Sequence, residues 1–210
     1  MSQVSPDTLT VFSDYVCPFC YLGRAAMDEY RERADDPPDV EWRVFDLRGH
    51  KRDADGSIDY DVDDGKDDDY FSEVRENVAR LEDEYGVEMT LDFSRDVDSW
   101  DAQKLAVYLE QAHGEATFRQ FHHATFDALW QDGRDVGDAD VLVDLASDAG
   151  VPEDEARSAL GDDRLDDELR ARFEAARDLG VTGIPTFVYD GHAARGAIPP
   201  AQFERLVDGA

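Results

Sequence analysis

Two cysteines stand three positions apart, as Cys17-Pro18-Phe19-Cys20, and they are the only two in a chain of 210 residues. Thiols at this spacing can close a disulfide with each other and exchange it with another. A structural disulfide framework uses more cysteines, spaced further apart. A tetrahedral zinc site needs four ligands, and no second CxxC or HxxxH accompanies the pair. His122 and His123 are adjacent, so on a helix they point about 100° apart and read as helix surface and packing.

In disulfide exchange the thiolate is the nucleophile, so the chemistry begins with a lowered thiol pKa. The flanking sequence offers a local means. Leu9-Thr10-Val11-Phe12 reads as a strand and leads through Ser13-Asp14-Tyr15-Val16 into the pair. After Cys20, the apolar residues Leu22, Ala25, Ala26, Met27 and Tyr30 recur at helical spacing. Cys17 then sits where a strand turns into a helix. Pro18 suits the first helical position, where no N–H is needed. The free N–H groups and the positive end of the helix dipole would face Cys17. Cys20, one turn in, would be the more buried, resolving thiol. A second candidate is Gly183-Ile184-Pro185-Thr186-Phe187, directly before a later strand. A proline at a strand entry is ordinary by itself.

The remaining elements must position these two stretches. Asp35-Asp36-Pro37-Pro38 stops the first helix, and Val40 to Leu47 alternates as a second strand. Residues 48–69 are polar, acidic and glycine-containing, and read as a long loop. Asp59, Asp61 and Asp63 resemble the start of a calcium loop. The glycine falls one place late, at Gly65, and Tyr70 stands where the bidentate glutamate belongs, so a solvated acidic loop is the reading taken. Helical stripes follow: Phe71, Val74, Val78, Leu81 and Tyr85; Leu105, Tyr108, Leu109 and Ala112; Phe118, Phe121, Thr125, Leu129 and Trp130; Val141, Leu142 and Leu145; Leu165, Leu169, Phe173 and Ala176. They read as core-facing surfaces. Thr186-Phe187-Val188-Tyr189 returns to strand, Asp190-Gly191 is a hairpin signal, and a short strand is expected over Ala194 to Ala197. Pro199 and Pro200 open a last helix.

The order is strand, helix, strand, helical block, strand, strand, helix. That predicts an α/β fold with an all-helical insertion between the second and third strands. The expected division is 1–66 with 181–210 for the sheet-bearing domain, and 67–180 for the insertion.

The net charge is -30, from 21 Lys+Arg against 51 Asp+Glu. Amphipathic patterns and aromatics running nearly to the C-terminus argue against disorder. Nucleic acid, itself a polyanion, is disfavoured as a partner. No apolar run approaches the roughly 18 residues of a membrane span, and the N-terminus lacks the basic-then-apolar pattern of a signal peptide. A cytoplasmic protein without a membrane partner is expected. Lysine occurs only at 51, 66 and 104. An acidic, lysine-poor composition resembles that of proteins from salt-loving archaea, in which molar salt screens self-repulsion.

Taken together, the chain resembles the DsbA-like thioredoxin family, in its cytoplasmic FrnE-like branch. The resemblance rests on Phe12 to Gly23 (FSDYVCPFCYLG), Phe45-Asp46-Leu47, Ala124 to Asp138 (ATFDALWQDGRDVGD), Gly180 to Val188 and Gly196-Ala197-Ile198-Pro199. It implies a thioredoxin-like fold and thiol–disulfide oxidoreductase activity. Cys17 is then the nucleophile, Cys20 the resolving thiol and Pro185 a cis-proline beside them. The Ile184 backbone would pair with an extended substrate segment, while Pro18 and Phe19 would contact substrate. Asp14 matches an acidic position of the branch, and two roles stand open for it: a proton relay, or an Asx-type bond fixing the loop. Trp100 and Trp130 read as core, with a substrate groove as the other use. No cofactor is required, because the cysteines carry the electrons. Partners would be protein or small-molecule thiols and disulfides, with a thioredoxin-type or low-molecular-weight thiol as electron donor.

The dipeptide Pro-Phe departs from the branch's frequent Pro-Trp and from the Pro-His of periplasmic DsbA. Phe19 cannot donate a hydrogen bond to a thiolate. A couple in the reducing half of the range from about −270 to about −120 mV is therefore expected. Two other functions compete. Kappa-class glutathione transferases and hydroxychromene-carboxylate isomerases share the architecture but typically place serine where Cys17 stands. A non-catalytic thioredoxin-like chaperone would need neither thiol.

Overall fold

In a computed structural model, residues 5–53, 56–90 and 97–209 are described; the first four residues of the N-terminal stretch read above lie outside them. The sheet has four strands: β1 (Thr8–Ser13), β2 (Asp39–Val44), β3 (Thr186–Tyr189) and β4 (His192–Arg195), in the order β2-β1-β3-β4. β1 pairs parallel with β2 and antiparallel with β3, which pairs antiparallel with β4. As a central strand covered on both faces, β1 is buried at five of its six positions rather than at alternate ones. Leu9 and Val11 enter a core with Met27, Tyr30, Phe187 and Phe203. Phe12 points the other way, to Ala176 and Val181.

The parallel β1–β2 step needs a crossover, and α1 (Pro18–Arg33) supplies it. The β3–β4 hairpin turns on Asp190 and Gly191, with φ of 45° and 78°. Two successive positive φ values make the tight turn that follows strand twist, which is why this dipeptide signals a hairpin. β4 therefore starts at His192, two residues earlier than expected, and stops before Gly196, whose φ of 82° turns the chain away. The last helix, α8 (Pro200–Asp208), places Phe203 against Phe187, with ring centroids 4.7 Å apart.

Among the described residues six α-helices lie between β2 and β3: α2 (Asp68–Tyr85), α3 (Trp100–His113), α4 (Glu115–Trp130), α5 (Ala139–Asp148), α6 (Glu153–Leu160) and α7 (Asp163–Asp178). The fold is thus mixed α/β with a helical insertion at the expected point. α6 was not foreseen. Pro152 reads as a stop after α5, whereas it is the N-cap residue of the next helix, a position its fixed φ tolerates. The chain divides into two compact units, Met1–Met89 with Ala175–Ala210, and Thr90–Glu174. α2 goes with the strand-bearing unit, whereas the sequence reading began the insertion at 67.

The acidic stretch before α2 is tied down rather than free. Asp64 takes Lys51 at 3.2 Å and Lys66 at 3.1 Å. Burial opposes ionisation of Asp64, but the hydrogen bonds from Lys66 and Lys51 outweigh it and hold the carboxyl well below its usual range. In the second unit, the buried Lys104 ammonium donates to Asp166 and to the Leu160 carbonyl, each at 2.8 Å. All three lysines are thereby committed to carboxylates. No described helix is long and apolar enough to cross a membrane.

Candidate active site

The strand-bearing unit assembles the site from three stretches far apart in sequence: the end of β1 with the first turn of α1, the segment after β2, and the segment before β3. Cys17 is the N-cap residue of α1, and Pro18 occupies its first helical position. Cys20 and Tyr21 donate their N–H groups to the Cys17 carbonyl at 3.0 and 3.3 Å. The helix therefore begins at the motif itself. Both cysteines are free thiols and lie 3.6 Å apart. Their exposures are close, 3% for Cys17 and 1% for Cys20, so the expected contrast in burial is small. Pro18 and Phe19 between them are half-buried.

Burial pushes the Cys20 thiol well above its ordinary pKa, and the adjoining Cys17 sulfur pushes it further. The Ser13 hydroxyl and the Asp14 backbone pull the other way. At neutral pH Cys20 is a protonated thiol.

The Ile184–Pro185 peptide is cis. The Cys17 thiol donates to the Ile184 carbonyl at 3.8 Å, a contact between residues 167 positions apart. Gly196 donates to the Pro185 carbonyl at 2.9 Å, and the Thr186 hydroxyl to that of Gly183 at 2.7 Å. Among the described residues the Ile184 N–H has no backbone partner. Pro185 is buried and Ile184 half-buried.

Asp14 is 2% exposed and works as a tie. One carboxylate oxygen accepts the Val16 N–H at 3.3 Å, the Asx-type bond within the loop. The other accepts the Leu47 N–H at 2.9 Å. Phe45 also donates to the Ser13 carbonyl at 3.0 Å. The Phe45-Asp46-Leu47 stretch is thus laced to the residues before Cys17. Asp46 in turn holds Arg52 at 2.8 Å, with both side chains nearly excluded from solvent.

Two residues matter here that the sequence reading had assigned no role. One is Ser13. The other is Gly23, one turn beyond Cys20. A Cβ there would lie 3.1 Å from the Phe187 ring and 3.2 Å from the Pro185 ring. The missing side chain lets α1 press directly on the Ile184–Pro185 loop. A glycine inside a helical pattern, unfavourable against alanine, was the available signal. Gly23→Ala is expected to cost about 1–3 kcal/mol by overpacking, read as an earlier denaturation midpoint in molar KCl. An unchanged midpoint would mean that the loop yields freely.

His122 is buried between Phe118 and Phe126, with ring centroids 5.3 and 5.1 Å away. Trp130 is buried and Trp100 half-buried, its indole N–H donating to Asp166 at 2.6 Å. These residues belong to the interior of the helical unit.

A family model for the DSBA-like thioredoxin domain matches residues 8–208, nearly the whole chain. The chain belongs to the DsbA-like thioredoxin family. Among curated relatives, the uncharacterized protein YwbO of Bacillus subtilis is 26% identical over 200 residues, covering 95% of this chain and 94% of its own. Among solved structures, the probable DsbA oxidoreductase SCO1869 of Streptomyces coelicolor is 27% identical, with a TM-score of 0.76 over 96% of this chain and 88% of that one. A 2-hydroxychromene-2-carboxylate isomerase shares the fold at 16% identity, TM-score 0.71, covering 95% and 90%. The cytosolic disulfide reductase DsbM of Pseudomonas aeruginosa, crystallised with GSH, shares it at 17% identity, TM-score 0.61, covering 95% and 92%. The same fold thus carries oxidoreductase and isomerase names, and the residues at the motif must decide between them.

Proposed function

We propose that this DsbA-like protein is a thiol–disulfide oxidoreductase of the reducing, disulfide reductase or isomerase-like kind. The observation that carries the reading is the free dithiol, Cys17 and Cys20 at 3.6 Å, with Cys17 at a helix N-terminus against the Ile184 carbonyl. The Cys17 thiolate attacks one sulfur of a substrate disulfide, forming a mixed disulfide and releasing the other sulfur as a thiolate. Cys20 then loses its proton and attacks the Cys17 sulfur. The intramolecular disulfide forms, and the second substrate thiol leaves. Two electrons pass from the protein to the substrate, and each leaving thiolate takes up a proton.

Pro185 holds Ile184 beside Cys17, and an extended substrate strand docks on the Ile184 backbone. The half-buried Pro18 and Phe19 give that strand an apolar contact. Asp14 acts through position, since both its oxygens hold backbone N–H groups. Phe19 offers no hydrogen bond to a thiolate, which favours the reducing direction. A low-molecular-weight thiol in a reducing cytoplasm is the electron donor this reading prefers, and the GSH-bound, cytosolic DsbM supports it by analogy of fold.

The isomerase neighbour favours a second reading, glutathione-dependent isomerisation or transfer without thiol turnover. That chemistry has no use for Cys20. A pure chaperone has no use for either thiol. Equilibration in redox buffers at molar KCl, followed by alkylation and mass measurement, separates the three. A single reversible two-electron transition, abolished by Cys17→Ser, is expected. Folded protein without a reversible pair would overturn the oxidoreductase reading.

We also assign the chain to a high-salt setting, within the FrnE-like branch. At a net charge of -30, self-repulsion opposes folding, and 1 M salt shortens the screening length to about 3 Å. Thermal unfolding is expected to move upward steadily from dilute to molar KCl. A midpoint that ignores KCl would refute this.

A further inference from the structure

Ser13 is the last residue of β1, one position before Asp14 and seven before Cys20. Its hydroxyl oxygen is in the protein interior and makes no hydrogen bond among the described residues. A buried donor left unpaired is unfavourable, and native structures rarely keep one without a reason. The Ser13 hydroxyl and the Asp14 backbone are near enough to the Cys20 thiol to favour its ionised form. A neutral thiol is a poor acceptor, so in the dithiol the hydroxyl has little to bond. A thiolate is a strong one, and a hydrogen bond to an ionised group is about twice as strong as a neutral one.

We propose that the Ser13 hydroxyl donates to the Cys20 sulfur when that sulfur carries negative charge, which makes Ser13 a catalytic residue of the resolving step. The inference rests on the oxidoreductase reading above and deepens it. In the mixed disulfide between Cys17 and a substrate thiol, Cys20 must ionise inside a buried site. Its proton leaves, its sulfur attacks the Cys17 sulfur, the Cys17–substrate bond breaks, and the departing thiolate is reprotonated. Ser13 keeps its own proton throughout. It supplies a dipole already in place where charge develops, the same logic as an oxyanion hole. In the reverse direction, when a thiol attacks Cys17 of the oxidised protein, Cys20 is the leaving group and the same hydrogen bond assists its departure. The first attack, by Cys17, makes no use of it.

The two steps can be timed separately with 2,2′-dithiodipyridine, a neutral disulfide that avoids repulsion from the acidic chain. Attack by Cys17 releases one pyridinethione, and resolution by Cys20 releases a second. In Ser13→Ala the second release is expected to slow about tenfold or more, the worth of one hydrogen bond to a charged group. Its pH profile should move to higher pH. The first release should keep its rate, which also reports that the variant is folded, and Ser13→Thr should restore the second. A second release unchanged in Ser13→Ala, or both releases slowed alike, would overturn the proposal while leaving the oxidoreductase reading intact. A single release from the unsubstituted protein would overturn both.

Discussion

Cys20→Ser is expected to react once with a disulfide and then stop. Cys17 and its surroundings at the start of α1 are untouched, so the first attack proceeds and a mixed disulfide forms. The hydroxyl at position 20 is too weakly acidic and too poor a nucleophile to break it. With no thiol at position 20, only a thiol from solution can cleave the Cys17–substrate bond. Turnover falls to background while one substrate equivalent stays covalently attached to Cys17. Mass spectrometry of the protein after mixing with a model disulfide reads the adduct directly, and a reductant should reverse it. Sustained turnover in Cys20→Ser would mean that a second thiol comes from solution, as glutathione-dependent chemistry would supply it. The substitution therefore also separates the dithiol mechanism from the isomerase-like alternative.

The largest loss of stability is expected at Lys104. Its side chain is 3% exposed and its ammonium holds Asp166, itself 20% exposed. Asp166 also accepts the Trp100 indole N–H. Burial raises the Asp101 carboxyl above its ordinary pKa; Lys104 opposes this, while Asp166 and Asp98 add to it. Lys104→Met fills most of the volume but leaves these carboxylates without their cation. Removing one partner of a buried pair costs about 3–5 kcal/mol. Denaturation in molar KCl, followed by tryptophan fluorescence, should register the loss.

The pH dependence gives the sign of the cause. A carboxyl whose pKa is raised by folding binds its proton more tightly in the native state than in the unfolded one. Lowering the pH through the carboxylate range then favours the native state. The deficit of Lys104→Met relative to the unsubstituted protein is expected to shrink as the pH falls. A deficit that is small and independent of pH would show that Asp166 regains water once the lysine is gone.

Much of this molecule is legible from local chemistry. β1, α1, β2, the β3–β4 hairpin and α8 carry short-range signals: apolar runs, a proline at a helix start, a dipeptide suited to positive φ. The start of α6 was hidden because Pro152 serves equally as a stop or as an N-cap residue. The extent of β4 was misjudged because Gly196, rather than the apolar pattern, ends it. The division of the helical block was less legible still, since amphipathic helices with similar stripes do not say which neighbour each one covers.

The pair Cys17 and Cys20 follows from sequence, because the spacing of two residues on one helical turn is a local matter. What surrounds the pair does not. That the Ile184 carbonyl meets the Cys17 sulfur depends on the antiparallel pairing of β3 with β1 across most of the chain. That Gly23 must lack a side chain depends on which face of α1 meets Pro185. That Asp14 joins Leu47, and that the buried Ser13 hydroxyl has no partner among the described residues, depends on the packing of three segments around one buried point. Residue type and spacing select a chemistry. Burial, orientation and the count of satisfied hydrogen bonds are properties of contacts between distant segments, and they exist only once the chain has closed on itself.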